Sequence, residues 1–215
     1  MPAAADAPAY AYVQGAVGVL QADDAWTYKD PVTGVDLNSD LGDLPYGGAN
    51  AQIVLSEAHD IEFGFESGGL VSWDSDSRVL EAKDNSVIVE LDNALYTVEL
   101  AFGLFAAWKP ADAVRFSVSA GPALVWGSVS TDDDSGVYIK GDDGAGGTVY
   151  AVGGRDYDTD FGAYARVGID FLFSDELIMG LAAKHVNYTL DFDDNSELNL
   201  DGWQYFLTIG ARVDL

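Results

Sequence analysis

Cysteine is absent from the 215 residues, which excludes disulfides, thiolate metal sites and cysteine nucleophiles. Bases are scarce: 10 Lys and Arg stand against 36 Asp and Glu, for a net charge of −26. A nucleic-acid binder needs a basic face, and a pI near 4.1 argues against one. Long apolar runs are missing too. The longest uncharged stretches, 7–22 and 116–131, are 16 residues each and are broken by Gly, Ser, Gln or Pro. A spanning helix needs about 20 mostly apolar residues, so helical spans are not expected. Nor does the chain open on a basic segment followed by an apolar one. Residues 1–8, Met-Pro-Ala-Ala-Ala-Asp-Ala-Pro, read as the tail of a mature terminus carrying an added Met.

What the chain does contain rules out an acidic disordered polymer. It is 48% hydrophobic, with 10 Phe, 11 Tyr, 5 Trp and a mean hydropathy of +0.05. The acid is segregated rather than spread. Segments 23–43, 74–92, 132–160 and 191–201 hold 25 of the 36 acids, and between them lie stretches that are nearly all apolar or small.

Inside those stretches the apolar period is two. Across 96–108, Tyr96, Val98, Leu100, Phe102, Leu104, Ala106 and Trp108 share one face, against Thr97, Glu99, Ala101, Gly103, Phe105 and Ala107. Segments 114–126, 161–173 and 205–215 repeat the pattern, and 9–21, 46–56, 61–73 and 177–192 follow it less cleanly. Alternation this long is a strand signal. Thirteen residues at roughly 3.3 Å, tilted about 40°, rise about 33 Å, close to a bilayer's thickness. In 177–192 the apolar residues change parity past Lys184, to Val186, Tyr188, Leu190 and Phe192, so a bulge near 184–186 is expected. Pro122, which cannot donate to a ladder, predicts a second irregularity.

Eight strands follow, joined alternately by short turns (57–60, 109–112, 174–176) and long acidic segments. Bulky aromatics on the apolar face gather near both predicted rims: Trp108, Phe171 and Phe173 at one, Trp73, Trp126, Phe161 and Trp203 at the other. Such rings favour the headgroup level of a membrane. The expected fold is all-β: an eight-stranded antiparallel up-and-down transmembrane β-barrel over 9–215, with short periplasmic turns and long acidic extracellular loops. A soluble acidic barrel is the competing reading, but there the bulky residues would fill the inside.

On these residues the chain resembles the small eight-stranded outer-membrane barrels of Gram-negative bacteria, the group of the OmpA transmembrane domain, OmpX, OmpW and the opacity proteins. The last strand, Tyr205–Leu215, resembles the signal read by the barrel-assembly machinery, with Leu215 where Phe or Trp is usual. The resemblance implies an outer-membrane location, contact with outer-membrane lipid and lipopolysaccharide, and a monomer.

The face opposite the apolar one carries Glu62, Glu66, Glu99 and Asp170 together with Arg115, Arg166, Lys184 and Arg212. Four acids and four bases in a base-poor chain predict an interlocked charge network inside the barrel, since buried charge persists only when paired. A gated polar path is the alternative use of the same residues. In the loops, Asp132, Asp133, Asp134, Asp142, Asp143, Asp193 and Asp194 offer hard oxygens for loosely bound Ca²⁺ or Mg²⁺, without any EF-hand pattern. No other cofactor is expected. Barrel enzymes of the lipid A deacylase type want His-x-Ser-Asn, whereas this chain reads His185-Val186-Asn187-Tyr188 and lacks the serine. His59, beside Asp60, is expected to be exposed in a turn. A non-enzymatic surface-interaction barrel with an external ligand is the leading reading. A narrow channel or OmpW-like transporter is the second, its entrance lined by Trp26, Tyr28, Tyr46, Tyr138, Tyr150 and Tyr157. A lipid-modifying enzyme is the third.

Overall fold

A computed structural model describes residues 10–21, 26–29, 36–39, 43–81, 87–131, 136–139, 149–151, 154–174, 177–192 and 196–215. In chain order the elements are β1 Tyr10–Gln21, β2 Trp26–Lys29, β3 Asp36–Ser39, β4 Asp43–Ala58, β5 Ile61–Glu81, β6 Val87–Ala111 and β7 Val114–Thr131. They continue as β8 Gly136–Ile139, β9 Val149–Ala151, β10 Gly154–Ser174, β11 Leu177–Asn187, β12 Thr189–Phe192, β13 Ser196–Asn199 and β14 Gly202–Asp214.

Eight of these strands close on themselves. The order runs β5-β4-β1-β14-β11-β10-β7-β6, and β6 pairs back onto β5. Every pairing in the ring is antiparallel, and the last strand meets the first from Tyr10↔Asp214 to Gln21↔Trp203. Closure leaves no free edge in the barrel wall, which a spanning sheet requires because lipid offers no hydrogen bonds.

The period of two sorts side chains as the alternation predicts. Outward residues stay bare: Leu104 is 64% exposed, Leu207 62% and Val17 61%. Inward ones are buried and often polar, among them Gln14, Gln52, Glu62, Glu99, Arg115 and Gln204. A protein folded in water buries its bulky apolar groups and exposes its charge; this wall does the reverse.

At the short-turn rim, His59 and Asp60 hold φ of 53° and 65°. Two positive φ values give the type I′ turn, whose twist matches that of the flanking strands. Both residues are exposed. Register shifts fall at this rim, between Val54 and Ser56, Trp108 and Ala111, and Leu172 and Ser174. At Pro122 there is no shift, but the pairing of β6 with β7 passes from Ala101↔Ala123 to Leu104↔Ala120.

The bulge expected near 184–186 is absent. The pairing of β10 with β11 runs without a shift from Leu172↔Ile178 to Ala163↔Asn187. Even-numbered residues therefore stay inside throughout, and Val186, Tyr188, Leu190 and Phe192 are all buried. They join Leu20, Leu44, Tyr46, Leu95, Val125, Leu198 and Leu200 in an apolar cluster at the long-loop end. Leu190 lies so close over Gly127 that a Cβ there would stand 2.4 Å from its Cδ1. The lumen is polar only over part of its height.

Past Asn187 the chain leaves the β10 ladder, and carboxylates take over as acceptors. Asp160 Oδ2 accepts from the Thr189 N–H at 2.9 Å, and Asp158 Oδ2 from the Asp191 N–H at 2.7 Å. β12 then pairs with β13, β13 with β2 and β2 with β3, a second small sheet. On the other side, the β5–β6 hairpin continues to Glu81↔Ile88, where β8 adds to β6 and β9 to β8. Replacing Asp158 and Asp160 together by alanine is expected to loosen β12 by about 1 kcal/mol per lost hydrogen bond. Amide exchange at Thr189 and Asp191 should then speed up at least about fivefold while β14 is unchanged. Unchanged exchange at those two amides would show that the carboxylates do not hold the strand.

Candidate functional site: the barrel interior

Three charge centres occupy the lumen between the short-turn mouth and the apolar cluster. The first is built on Arg115, whose side chain is fully buried. Its Nε donates to Glu62 Oε2 at 2.7 Å, one terminal nitrogen to Asp170 Oδ2 at 2.8 Å and the other to Gln52 Oε1 at 2.6 Å. The guanidinium also lies 4.3 Å from the ring centre of Tyr12. The hydroxyls of Tyr10 and Tyr12 donate to Glu62 at 2.8 and 2.9 Å, and Gln14 donates to Asp170 at 2.9 Å. A planar fork with donors on several edges suits this position, where one ammonium could not reach three acceptors.

The second centre is Glu66, which accepts from Arg166 at 2.7 Å, Ser119 Oγ at 2.7 Å and the Tyr164 hydroxyl at 3.2 Å. Gln52 also donates to it, and so ties this centre to the first. The third pairs Glu99 with Lys184, with Tyr188 and Gln204 donating to the same carboxylate at 2.8 and 3.1 Å. Lys184 stands over the Tyr164 ring, 5.1 Å from its centre, which links the third centre to the second.

Seven of the eight charged residues expected inside are buried there. Arg212 is the exception. It stacks on Tyr10 at 3.9 Å with its side chain 38% exposed, and Asp214, on its own strand, is 3.8 Å away. Near the end of β14 the wall no longer surrounds an inward side chain. Lys109, read from sequence as a turn residue, takes the place Arg212 was expected to fill, bonding Glu57 at 2.7 Å and Glu62 at 2.9 Å. β6 runs past Trp108 through its register shift to Ala111, which carries Lys109 onto the network. Tyr46, placed by sequence at an entrance, is 3% exposed within the apolar cluster. Tyr157 is exposed and stacks on Trp126 at 5.7 Å. The side chains of Trp26, Tyr28, Tyr138 and Tyr150 lie outside the described residues, as do Asp132, Asp133, Asp134, Asp142, Asp143, Asp193 and Asp194.

Among the described residues, open space in the lumen narrows inward from the short-turn mouth. A vestibule of about 670 Å³ opens at the short-turn mouth beside Tyr12, Glu57, Lys109 and Arg212. Deeper, the cavity among Asn50, Glu66, Glu99, Arg166, Lys184 and Thr208 measures about 40 Å³, room for a few waters. Above it sits the apolar cluster.

Solved structures of similar shape are outer-membrane proteins. The outer membrane protein OprG from Pseudomonas aeruginosa matches with a TM-score of 0.57 at 9% identity, over 98% of each chain. The fold is that of a small outer-membrane β-barrel. The outer membrane protease OmpT from Escherichia coli matches this barrel with a TM-score of 0.51 at 10% identity, over 98% of this chain and 97% of its own. Ail, the attachment invasion locus protein of Yersinia pestis, matches at 0.50 and 9% identity, over 96% and 99%. No protein-family model matches the barrel's sequence, and no curated protein matches it either.

Proposed function

We propose that this protein is a closed barrel of a bacterial outer membrane, non-enzymatic, whose long acidic connecting segments face the cell exterior and contact an external ligand. The observation that carries this reading is the filled lumen: a cross-linked charge network under an apolar cluster, with about 40 Å³ between them. Eight strands leave an interior just wide enough for side chains, so a solute path would require dismantling both layers. What is left for contact is the long-loop rim, whose four segments carry 25 of the 36 acids. A field of that sign selects cationic partners and adds a salt-dependent on-rate.

Two measurements on the refolded protein test this. Planar-bilayer recording is expected to show no conductance steps, with or without neutralising Glu99. Binding to a cationic surface should weaken as salt rises and fall on deletion of 132–153. Regular single-channel steps from the unaltered protein would overturn the closed barrel in favour of the channel reading.

A further inference from the structure

Above the membrane belt the wall divides. The β10–β11 ladder ends at Ala163↔Asn187, and β12 then pairs with β13 instead of with β10. The fork is tight, because a Cβ on Gly162 would overlap the Asn187 carbonyl oxygen. Ten residues separate Phe171 in one aromatic rim from Phe161 in the other. At roughly 3.3 Å each and about 40° of tilt they rise about 25 Å, the height of an apolar belt. The ladder therefore stops where lipid stops, since unladdered backbone needs water or another partner within reach.

Beyond the fork β10 and β12 still run side by side, with Cα atoms within 8 Å of one another. No ladder joins them among the described residues. Aspartates stand in for one. The Asp160 carboxylate is held between the strands, Oδ1 accepting from the Phe161 N–H at 2.7 Å and Oδ2 from the Thr189 N–H at 2.9 Å. Asp158 Oδ2 accepts from the Asp191 N–H and Asp156 Oδ1 from the Tyr157 N–H, both at 2.7 Å. Alternate N–H groups of a strand point the same way, so Tyr157 and Phe161 share one edge of the seam and Thr189 and Asp191 the other. A carboxylate accepts but cannot donate, so it serves the N–H groups of these edges and not their carbonyls. An extended strand between them would serve both, with carbonyls for the N–H groups and N–H groups for the carbonyls.

Two strand spacings are about 9.6 Å, so β12 must move outward by at least about 2 Å to admit a strand. It has four residues and hangs from β11 through Tyr188, which belongs to neither strand. Charge selects the occupant. Carboxylates displaced from the backbone need cations, and a second copy of this acidic chain would bring like charge to the same place. We infer that the β10–β12 seam docks an extended cationic peptide segment, which inserts as a strand and pairs its basic side chains with Asp158 and Asp160. The inference deepens the external-ligand reading proposed above and rests on it.

The test uses the full chain refolded into phosphatidylcholine bilayers and an octapeptide of alternating Lys and Val. The control is the same peptide N-methylated at alternate residues, which keeps the charge and removes the donors of one strand edge. Calorimetric titration gives the affinities, and amide exchange is read at Tyr157, Phe161, Thr189 and Asp191. The unmodified peptide is expected to bind about tenfold more tightly than the control and to slow exchange at those amides at least about fivefold. Asp158→Asn together with Asp160→Asn keeps an amide oxygen at each place and should weaken binding about tenfold. Heat-modifiable gel mobility reports that the variant has folded. Equal binding of both peptides with unchanged exchange overturns the seam alone and leaves the acidic rim as a general field for cations. Unchanged affinity in the double variant, or a dimer that protects the same amides without peptide, also overturns it. Binding of neither peptide removes the rim reading beneath it as well.

Discussion

Replacing Arg115 by methionine is expected to lower the barrel's unfolding free energy by about 3–5 kcal/mol, the largest effect of any single substitution in the lumen. The reason is the state of what remains. Glu62 and Asp170 each keep a buried carboxylate whose closest cation has gone, and Gln52 loses the donor on its oxygen. Lys109 still touches Glu62, whereas among the described residues Asp170 keeps the amide of Gln14 as its side-chain donor. Arg212→Met is the matched control, because that guanidinium is part-exposed and stacked at the mouth. Its loss should cost less than about 1 kcal/mol. Equilibrium urea unfolding from lipid vesicles, followed by tryptophan fluorescence, measures both. Adding Asp170→Asn to Arg115→Met should restore part of the loss, since the two groups are bonded and their effects are not additive. Equal small costs for Arg115→Met and Arg212→Met would show that the lumen is hydrated and that the network carries little of the fold.

Leu104→Arg is expected to cost about 2–4 kcal/mol in a bilayer, although Leu104 is among the most exposed large hydrophobic residues described. On a protein surface in water the same change would fall within about 0.5 kcal/mol of zero. Leu104 lies on β6 between Tyr96 in one aromatic rim and Trp108 in the other, near mid-height of the bare belt. An arginine there must be held in hydrocarbon or drag water and headgroups inward. Leu177→Arg, at the first residue of β11 on the short-turn rim, should cost no more than about 1 kcal/mol. The depth dependence is therefore the informative quantity. Two equal, near-zero values would place the belt in water and return the chain to the soluble reading.

Much of this molecule could be read residue by residue. The alternation in 96–108 assigned Leu104 outward and Glu99 inward, because side-chain direction in a strand depends only on parity. The same parity put Glu62, Arg115 and Asp170 on the inner face. It could not say that these three would meet, since they are 53 and 55 residues apart and join only across the closed ring. It also misjudged 186–192. Apolar residues can face lipid or an apolar interior, and period alone does not distinguish the two. A bulge near 184–186 is the reading that puts the apolar residues of that segment on the lipid face. The structure instead keeps the register and turns Val186, Tyr188, Leu190 and Phe192 into the closure of the long-loop end. Asp158 and Asp160, placed by sequence within the acidic segment 132–160, accept from the backbone N–H groups of Asp191 and Thr189.

Scarcity of base, absence of long apolar runs and a period of two were enough to determine an inside-out sheet, because each follows from local sequence and from the solvent it must satisfy. Which acid finds which base, that Lys109 rather than Arg212 joins the network, and that the lumen ends in an apolar layer were decided only by ring closure. Closure sets height and register across strands far apart in the chain, and pairing, burial and open volume depend on both.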